Sequence, residues 1–407
     1  MNNRLDLQAI IQTLQQHRQS IPALSGKLYG NYGGQGPMPQ TAVETIYSSH
    51  QLIQQKGPFS SAANKWLKQE ADLLRQTMAT ELGTTPESLT LTENVTVGCN
   101  IPLWGLPWEA GDRILISDCE HPGIVAAVTE ISRRYSVGVD WVSLKPPSRL
   151  SPTMAIAQAL HPRTKLLVIS QVLWNTGQLL PFKDIVNLCC NHAPQPVRIL
   201  VDAAQSVGML PLNLDELGAD FYVFTGHKWW CGPAGVGGLY VRPDALEAIS
   251  PTFIGWRGIR VDDEANPIGW QPDGRRFQIA TSDGPLWPSL RAAIAFHNQW
   301  GTAQQRYFRI CQLGIYLWSR LNRLPKIACI LKTPPESGLV SFQISPDGTP
   351  SPTLHTRLVQ YLETQHIYLR TLLLPHCVRA CVHYFTLESE LDRLVEAIEA
   401  FLKDEIG

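Results

Sequence analysis

Asp202 and Lys228 are the residues of this 407-residue chain whose types and spacing point most directly to chemistry. Asp202 closes the apolar run Arg198–Val201, within Val201-Asp202-Ala203-Ala204-Gln205-Ser206, and Lys228 follows the run Phe221–Phe224 in Thr225-Gly226-His227-Lys228. Read as a strand–helix–strand unit of one parallel sheet, the two runs deliver a carboxylate and an amine to the same rim. Ligands of such sheets bind at that rim. An amine there can hold an aldehyde as a Schiff base, and a carboxylate can keep a pyridine nitrogen protonated so that the ring accepts carbanion charge. These are the needs of a pyridoxal cofactor. The amine must also be available uncharged, which burial beside a cationic ring promotes. Alone, a strand-terminal aspartate or a lysine after a strand is usually a solvated residue; the pair at this spacing is far more specific.

Other residues could complete such a site. Thr92-Glu93-Asn94-Val95-Thr96-Val97-Gly98 is a polar turn opening a helix, where backbone N–H groups and a threonine hydroxyl suit a phosphate; Thr96 by itself reads equally well as an N-cap. Arg370 and Arg379 flank Thr371–Val378. The planar fork of arginine grips a carboxylate through two parallel charge-assisted hydrogen bonds. Gly232-Pro233-Ala234-Gly235-Val236-Gly237-Gly238 is glycine-rich but precedes a strand, so it lacks the context of a dinucleotide loop. A tight turn beside the lysine is the better account.

The elements that must position these residues follow from periodicity. From about Ser60 to Tyr240, apolar runs (Arg113–Ser117, Leu166–Ser170, Arg198–Val201, Phe221–Phe224, Gly235–Val241) alternate with helical patterns such as Gly123–Tyr135 and Phe182–His192. Continuous β-branched runs between helices mean a parallel sheet covered on both faces. A Gly/Pro-rich stretch, Pro251–Pro288, then leads to a long helical pattern from Ser289 past Arg320. Leu339–Ile344 and Val378–Tyr384 read as strands and Ser389–Lys403 as an amphipathic helix. The expected organisation is an N-terminal segment (1–25) packing with the small domain, a large domain (26–288) and a smaller α/β domain (289–407). A chain of this length exceeds one compact core.

Composition narrows the partners. The net charge is −1, from 34 basic and 35 acidic residues without like-charge blocks, so a small-molecule substrate is expected and neither nucleic acid nor a membrane surface. The nine cysteines include no C-x-x-C pair and read as thiols in a reducing cytoplasm, without a structural metal. Met1–Ser20 reads as a polar amphipathic helix, not a signal peptide, and no apolar run approaches a membrane span.

The Asp202 and Lys228 motifs resemble the signature of the class-V aminotransferase family, the fold-type-I pyridoxal-phosphate enzymes that include cysteine desulfurases, and the resemblance extends over nearly the whole chain. Asn31-Tyr32-Gly33-Gly34-Gln35-Gly36, Leu173-Trp174-Asn175-Thr176-Gly177-Gln178 and Gly226-His227-Lys228-Trp229 resemble the cyanobacterial-type cystine C–S lyases within it. The resemblance implies a large domain built on a mostly parallel seven-stranded sheet, and a homodimer with active sites at the subunit interface. It implies that Val95, Thr96, Thr225 and His227 bind the cofactor phosphate, with Thr281 supplied by the other subunit. His121, in Asp118-Cys119-Glu120-His121-Pro122, is similar to the histidine that stacks on the pyridine ring and helps proton transfer. Gln205 or Asn175 would hydrogen-bond the ring hydroxyl. Arg379 would grip the substrate α-carboxylate, with Arg370 nearer the entrance and Gly34 a further substrate contact. Trp256 is a candidate for lining the substrate pocket, with simple packing as the alternative.

Desulfurases of this family carry a nucleophilic cysteine on a mobile loop just before the carboxylate-binding arginine. Here only eight residues separate Arg370 from Arg379, and Cys377 lies two before Arg379, out of line with that nucleophile. Cleavage without a thiol needs a substrate whose sulfur already leaves well. Cystine meets that need, because β-elimination releases cysteine persulfide and leaves pyruvate and ammonia. The expectation is therefore a C–S lyase supplying sulfane sulfur, of use in iron–sulfur cluster assembly, to an acceptor protein. A cysteine desulfurase or selenocysteine lyase, an epimerase of the isopenicillin N type, and a catalytically silent scaffold of the same fold are the rivals.

Overall fold

The computed structural model describes residues 14–146 and 150–406; the part of the expected N-terminal helix before residue 14 lies outside them. Its centre is a seven-stranded sheet in the spatial order Leu89–Thr92, Gly237–Val241, Phe221–Thr225, Arg198–Asp202, Thr164–Ser170, Arg113–Ser117, Gly138–Val142. The last five strands pair in parallel, while Gly237–Val241 runs antiparallel to both neighbours. The sheet is mostly parallel and seven-stranded, as expected.

Strand alternation feeds two apolar layers. Leu115, Leu167, Ile169, Ile199 and Val201 face one layer of buried side chains, whereas Ile114, Ile116, Leu166, Val168 and Leu200 face the other. Burial on both faces is why these runs read as unbroken apolar stretches. The edge strands Leu89–Thr92 and Gly138–Val142 escaped that reading: one carries threonines, and the other is mostly half-buried.

A second, four-stranded antiparallel sheet has the order Ile327–Cys329, Leu339–Ile344, His376–Cys381, Arg370–Leu373. Its core joins Leu313, Leu317 and Ile398 to Ile21, Leu24 and Leu28 of the N-terminal segment. Leu28–Tyr29 also pairs with Ile367–Tyr368.

Three sequence expectations need correction. The helical pattern from Ser289 past Arg320 is two helices, Leu286–Trp300 and Ala303–Leu321. Gly301 breaks the chain, and Thr302 starts the second helix in a capping box with Gln305, satisfying donors that the helix start leaves open. The strand expected over Val378–Tyr384 is His376–Cys381; the chain then turns, with the His383 N–H donating to Thr386 Oγ1. The crossover between the Asp202 and Lys228 strands contains only the short helix Leu214–Leu217. Among the described residues, no helix is long and apolar enough to cross a membrane.

Candidate active site

The strands Arg198–Asp202 and Phe221–Thr225 are parallel neighbours, so Asp202 and the turn carrying Lys228 emerge at the same end of the sheet. A cleft of about 820 Å³ opens there, lined by Gly34, Val95, Thr96, His121, Asn175, Asp202, Gln205, Thr225, His227, Lys228, Arg370 and Arg379. All but two of the residues expected at the site meet in it. Thr281 instead lines an adjoining cavity, which shares Thr96 and Val97 with the cleft. Trp256 lines neither; it is 62 % exposed, with the Arg257 guanidinium over its ring.

Lys228 is half-buried. Burial pushes its amine down to about 8, against the opposing pull of Asp202, and Arg379 and Arg370 push the same way as burial. An amine poised there is partly neutral at physiological pH, as attachment to an aldehyde requires. Asp202 is buried and accepts the Ala204 N–H at 2.9 Å. Burial raises its carboxyl above the ordinary range, while Lys228, the Ala204 N–H and His121 hold it down.

The helix Val95–Gly105 points its N-terminus into the cleft. The Asn94 side chain accepts the Val97 N–H at 3.0 Å, leaving the first N–H groups of the helix available to an anion. Thr225 Oγ1 and His227 Nδ1 lie 2.6 Å apart beside it, and burial lowers His227 to about 4, so it is neutral. His121 caps the helix Pro122–Tyr135: its Nδ1 accepts the Gly123 N–H at 3.2 Å. That bond puts the proton of the neutral ring on Nε2. The ring meets Trp174 edge-on, with centroids 5.8 Å apart.

Gln205 is fully braced. Its Nε2 donates to Gly33 O and its Oε1 accepts from Trp229 Nε1, each at 2.9 Å. Asn175 donates Nδ2–H to Leu374 O at 2.9 Å, yet its buried Oδ1 has no partner. An orphaned acceptor of this kind is costly, and a ring hydroxyl would satisfy it. Of the two candidates for that oxygen, Asn175 is the one with an acceptor to spare.

Arg370 and Arg379 are directly opposite across antiparallel strands, so both side chains project from one face. Like charges so placed repel, and among the described residues neither forms an ion pair with a carboxylate. Arg379 is 1 % exposed. It donates to Trp174 O at 2.7 Å and to Asn31 Oδ1 at 3.3 Å, while its Nε has no acceptor. An anion between the two guanidinium groups would relieve both deficits. None of the nine cysteines, all free, lines the cleft. Cys377 is 0 % exposed among Ile330, Leu372 and Trp174, and burial pushes its thiol up to about 12.

Amine, buried carboxylate, helix N-terminus, orphaned amide oxygen and unpaired arginines fit pyridoxal phosphate carrying an amino-acid substrate. Glu120 escaped the sequence reading although it adjoins His121. It lines the same cleft, and its signal, an acid between a strand end and a helix cap, is weak without the fold.

Residues 38–394 match the family model Aminotransferase class-V. The isopenicillin N epimerase of Streptomyces clavuligerus is 28 % identical over 386 residues, covering 91 % of this chain and 94 % of the epimerase. A cysteine desulfurase of Klebsiella pneumoniae is 28 % identical over 307 residues, 72 % of each chain. The fold superposes with a TM-score of 0.90 and 45 % identity on the cystine C–S lyase C-DES in complex with its product, cysteine persulfide, covering 93 % of this chain and 99 % of that one. A C-DES lysine-to-alanine variant, with glycine covalently linked to its pyridoxal-phosphate cofactor, gives 0.91 and 45 % over 94 % and 98 %. The matched family model spans most of the sequence and takes in both the aspartate strand and the lysine turn, and so this chain belongs to the class-V aminotransferase family.

Proposed function

We propose that the protein is a pyridoxal-phosphate-dependent C–S lyase that cleaves L-cystine by β-elimination, with water, to cysteine persulfide, pyruvate and ammonia. The observation that carries this reading over desulfuration is the cleft without a thiol: Cys377 is sealed and protonated, and the tight hairpin before Arg379 pairs Leu373 with His376, leaving only Leu374 and Pro375 between the strands. Identity of 45 % to C-DES over nearly its full length supports the same reaction.

The cofactor is pyridoxal phosphate; when bound, it supplies the electron sink for the carbanion at the substrate α-carbon. Lys228 would hold it, and its amine, when free, would take the α-proton of the substrate. Asp202 keeps the proton on the ring nitrogen. The N-terminus of Val95–Gly105, with Thr96, Thr225 and His227, binds the phosphate, and Asn175 and Gln205 border the ring hydroxyl. His121 would pack over the ring, with Nε2–H free to serve proton transfer. Arg379 binds the α-carboxylate, and Arg370 with Gly34 borders the entrance, where the second carboxylate of cystine lies. The β-carbon–sulfur bond breaks easily because the persulfide is a weaker base than an ordinary thiolate.

The same reading takes the protein as a cytoplasmic homodimer in which Thr281 of one subunit reaches the other's phosphate site, and in which the persulfide passes to an acceptor protein, including for iron–sulfur clusters. Trp256, on the exposed rim, borders the substrate entrance in that dimer. The large (26–288) and small (289–407) domains, with the described part of the N-terminal segment (14–25) packed on the small one, would close on the substrate between them. Incubating the purified holoenzyme with cystine tests the reaction. Pyruvate with sulfane sulfur is expected; racemised substrate without pyruvate would mean an epimerase instead.

A further inference from the structure

Glu120 is a second carboxyl group on the cleft floor, and the reaction above leaves it without a role. It is 6 % exposed and clamped at three points. Oε1 accepts from Ser117 Oγ at 2.5 Å and from the Ser170 N–H at 3.0 Å, and Oε2 lies 2.6 Å from Ser170 Oγ. Ser117 and Ser170 end neighbouring strands, and Ser170 is the register partner of Asp202. The clamp therefore ties the residue before His121 to the strand end beside Asp202. It also suits either charge state. As a carboxylate Glu120 accepts three hydrogen bonds; as an acid it donates from Oε2 to Ser170 Oγ and keeps the other two.

No cation is paired with it among the described residues. The groups that face it are Asp202 across Ser170, Cys99 on the helix Val95–Gly105, and Cys119 in its own turn, with His121 next in the chain. Asp202 must be ionised to hold a ring proton, and two adjacent carboxylates in a buried floor repel. Burial accordingly raises Glu120 to about 7, with Asp202 adding to the rise and the serine hydrogen bonds opposing it.

Building on the proposed function, we propose that Glu120 is a positioning residue that takes up or releases a proton beneath Asp202 and so tunes how tightly the Asp202–cofactor pair holds its own proton. The sign is fixed. Ionising Glu120 adds negative charge to the floor and raises the proton affinity of Asp202 and of any cationic group above it. The electron sink then stays protonated to higher pH.

Two measurements on the holoenzyme test this. In the infrared, a buried carboxylic-acid carbonyl band should fade as pH rises through neutrality and be absent from Glu120→Gln. In the visible, the pH midpoint of the bound cofactor's absorbance should fall in Glu120→Gln by roughly half a unit, the scale of one screened charge nearby. Ser170→Ala removes the hydroxyl donor to the carboxylate while keeping the backbone N–H, and should move the infrared titration to higher pH, which keeps the proposal testable if the glutamine variant folds poorly. An ionised Glu120 throughout, or an unchanged absorbance midpoint, would overturn it and leave only a structural clamp. If the protein held no pyridoxal cofactor, the visible band itself would be missing while the infrared titration remained, so failure of the functional reading is distinguishable.

Discussion

At the scale of the residue, the site works through side chains whose ordinary partners are missing. Arg379 is the sharpest case: a buried guanidinium with a free Nε is set up for a carboxylate from outside. Replacing Arg379 with Lys keeps the charge but loses the fork, so KM for cystine should rise roughly ten- to a hundredfold, the scale of a charge-assisted hydrogen bond; steady-state kinetics will show it. Lys228 sets a pH dependence. Because its amine is lowered to about 8, the neutral fraction should rise roughly tenfold between pH 7 and 9. The rate of cofactor attachment to the apoprotein, followed by absorbance, should climb with it. Glu120 gives a stability effect of known sign. Its folded pKa of about 7 exceeds the unfolded 4.5, so its acid form favours folding below pH 4.5 and that contribution is lost as pH rises through 7. Glu120→Gln should therefore gain stability relative to the parent across that interval, read by thermal melts at each pH. Of these residues, Asp202, Lys228 and Arg379 were legible in the sequence because each sits beside a strong strand or motif. Glu120 was not, because its meaning depends on Ser170, fifty residues away.

At the scale of the element, close approach between backbones decides the geometry. Gly98 lets the helix Val95–Gly105 lie against the lysine strand: a Cβ there would come within 2.3 Å of Val223 Cγ1. Gly36 is tighter still, since its N–H donates to His227 O at 2.7 Å and a Cβ would meet Lys228 O at 2.1 Å. Gly36→Ala should displace the lysine turn and abolish the cofactor's visible absorbance, even if the chain stays folded by circular dichroism. The long strands were legible because burial on both faces leaves an unbroken apolar run. The edge strands and the break at Gly301 were harder: half-burial dilutes the pattern, and amphipathic periodicity resumes straight after the break although the two helices serve different cores, Leu290 and Ile294 packing on the large sheet and Leu313 and Leu317 on the small one. The Gly301-Thr302 pair followed by Gln305 carried the stop and restart in plain view.

At the scale of the whole molecule, buried polar contacts join the parts that must move or stay together. Tyr384 OH lies 2.7 Å from His17 Nε2 and 2.9 Å from His297 Nδ1, and His297 Nε2 meets Trp230 O at 2.9 Å. The N-terminal segment, the helix Leu286–Trp300 and the chain just after Lys228 are thus linked. Thr281 and Trp256 lie outside the chain's own cleft, while Phe253, Ile254 and Trp256 are exposed together, an arrangement that a second subunit would complete. Light scattering should give twice the 45.3 kDa chain mass, and Thr281→Ala should weaken cofactor retention on dilution. One sequence could show the residues of such an interface but not their geometry, because intersubunit contacts leave no periodicity of their own.

The central claim is elimination from cystine without a protein thiol. The most direct measurement is product analysis of the holoenzyme and its Cys377→Ala variant, each given cystine and, separately, cysteine. Pyruvate and sulfane sulfur from cystine, equal in the two proteins, is the predicted result. Alanine formed from cysteine, and lost in the variant, would contradict it.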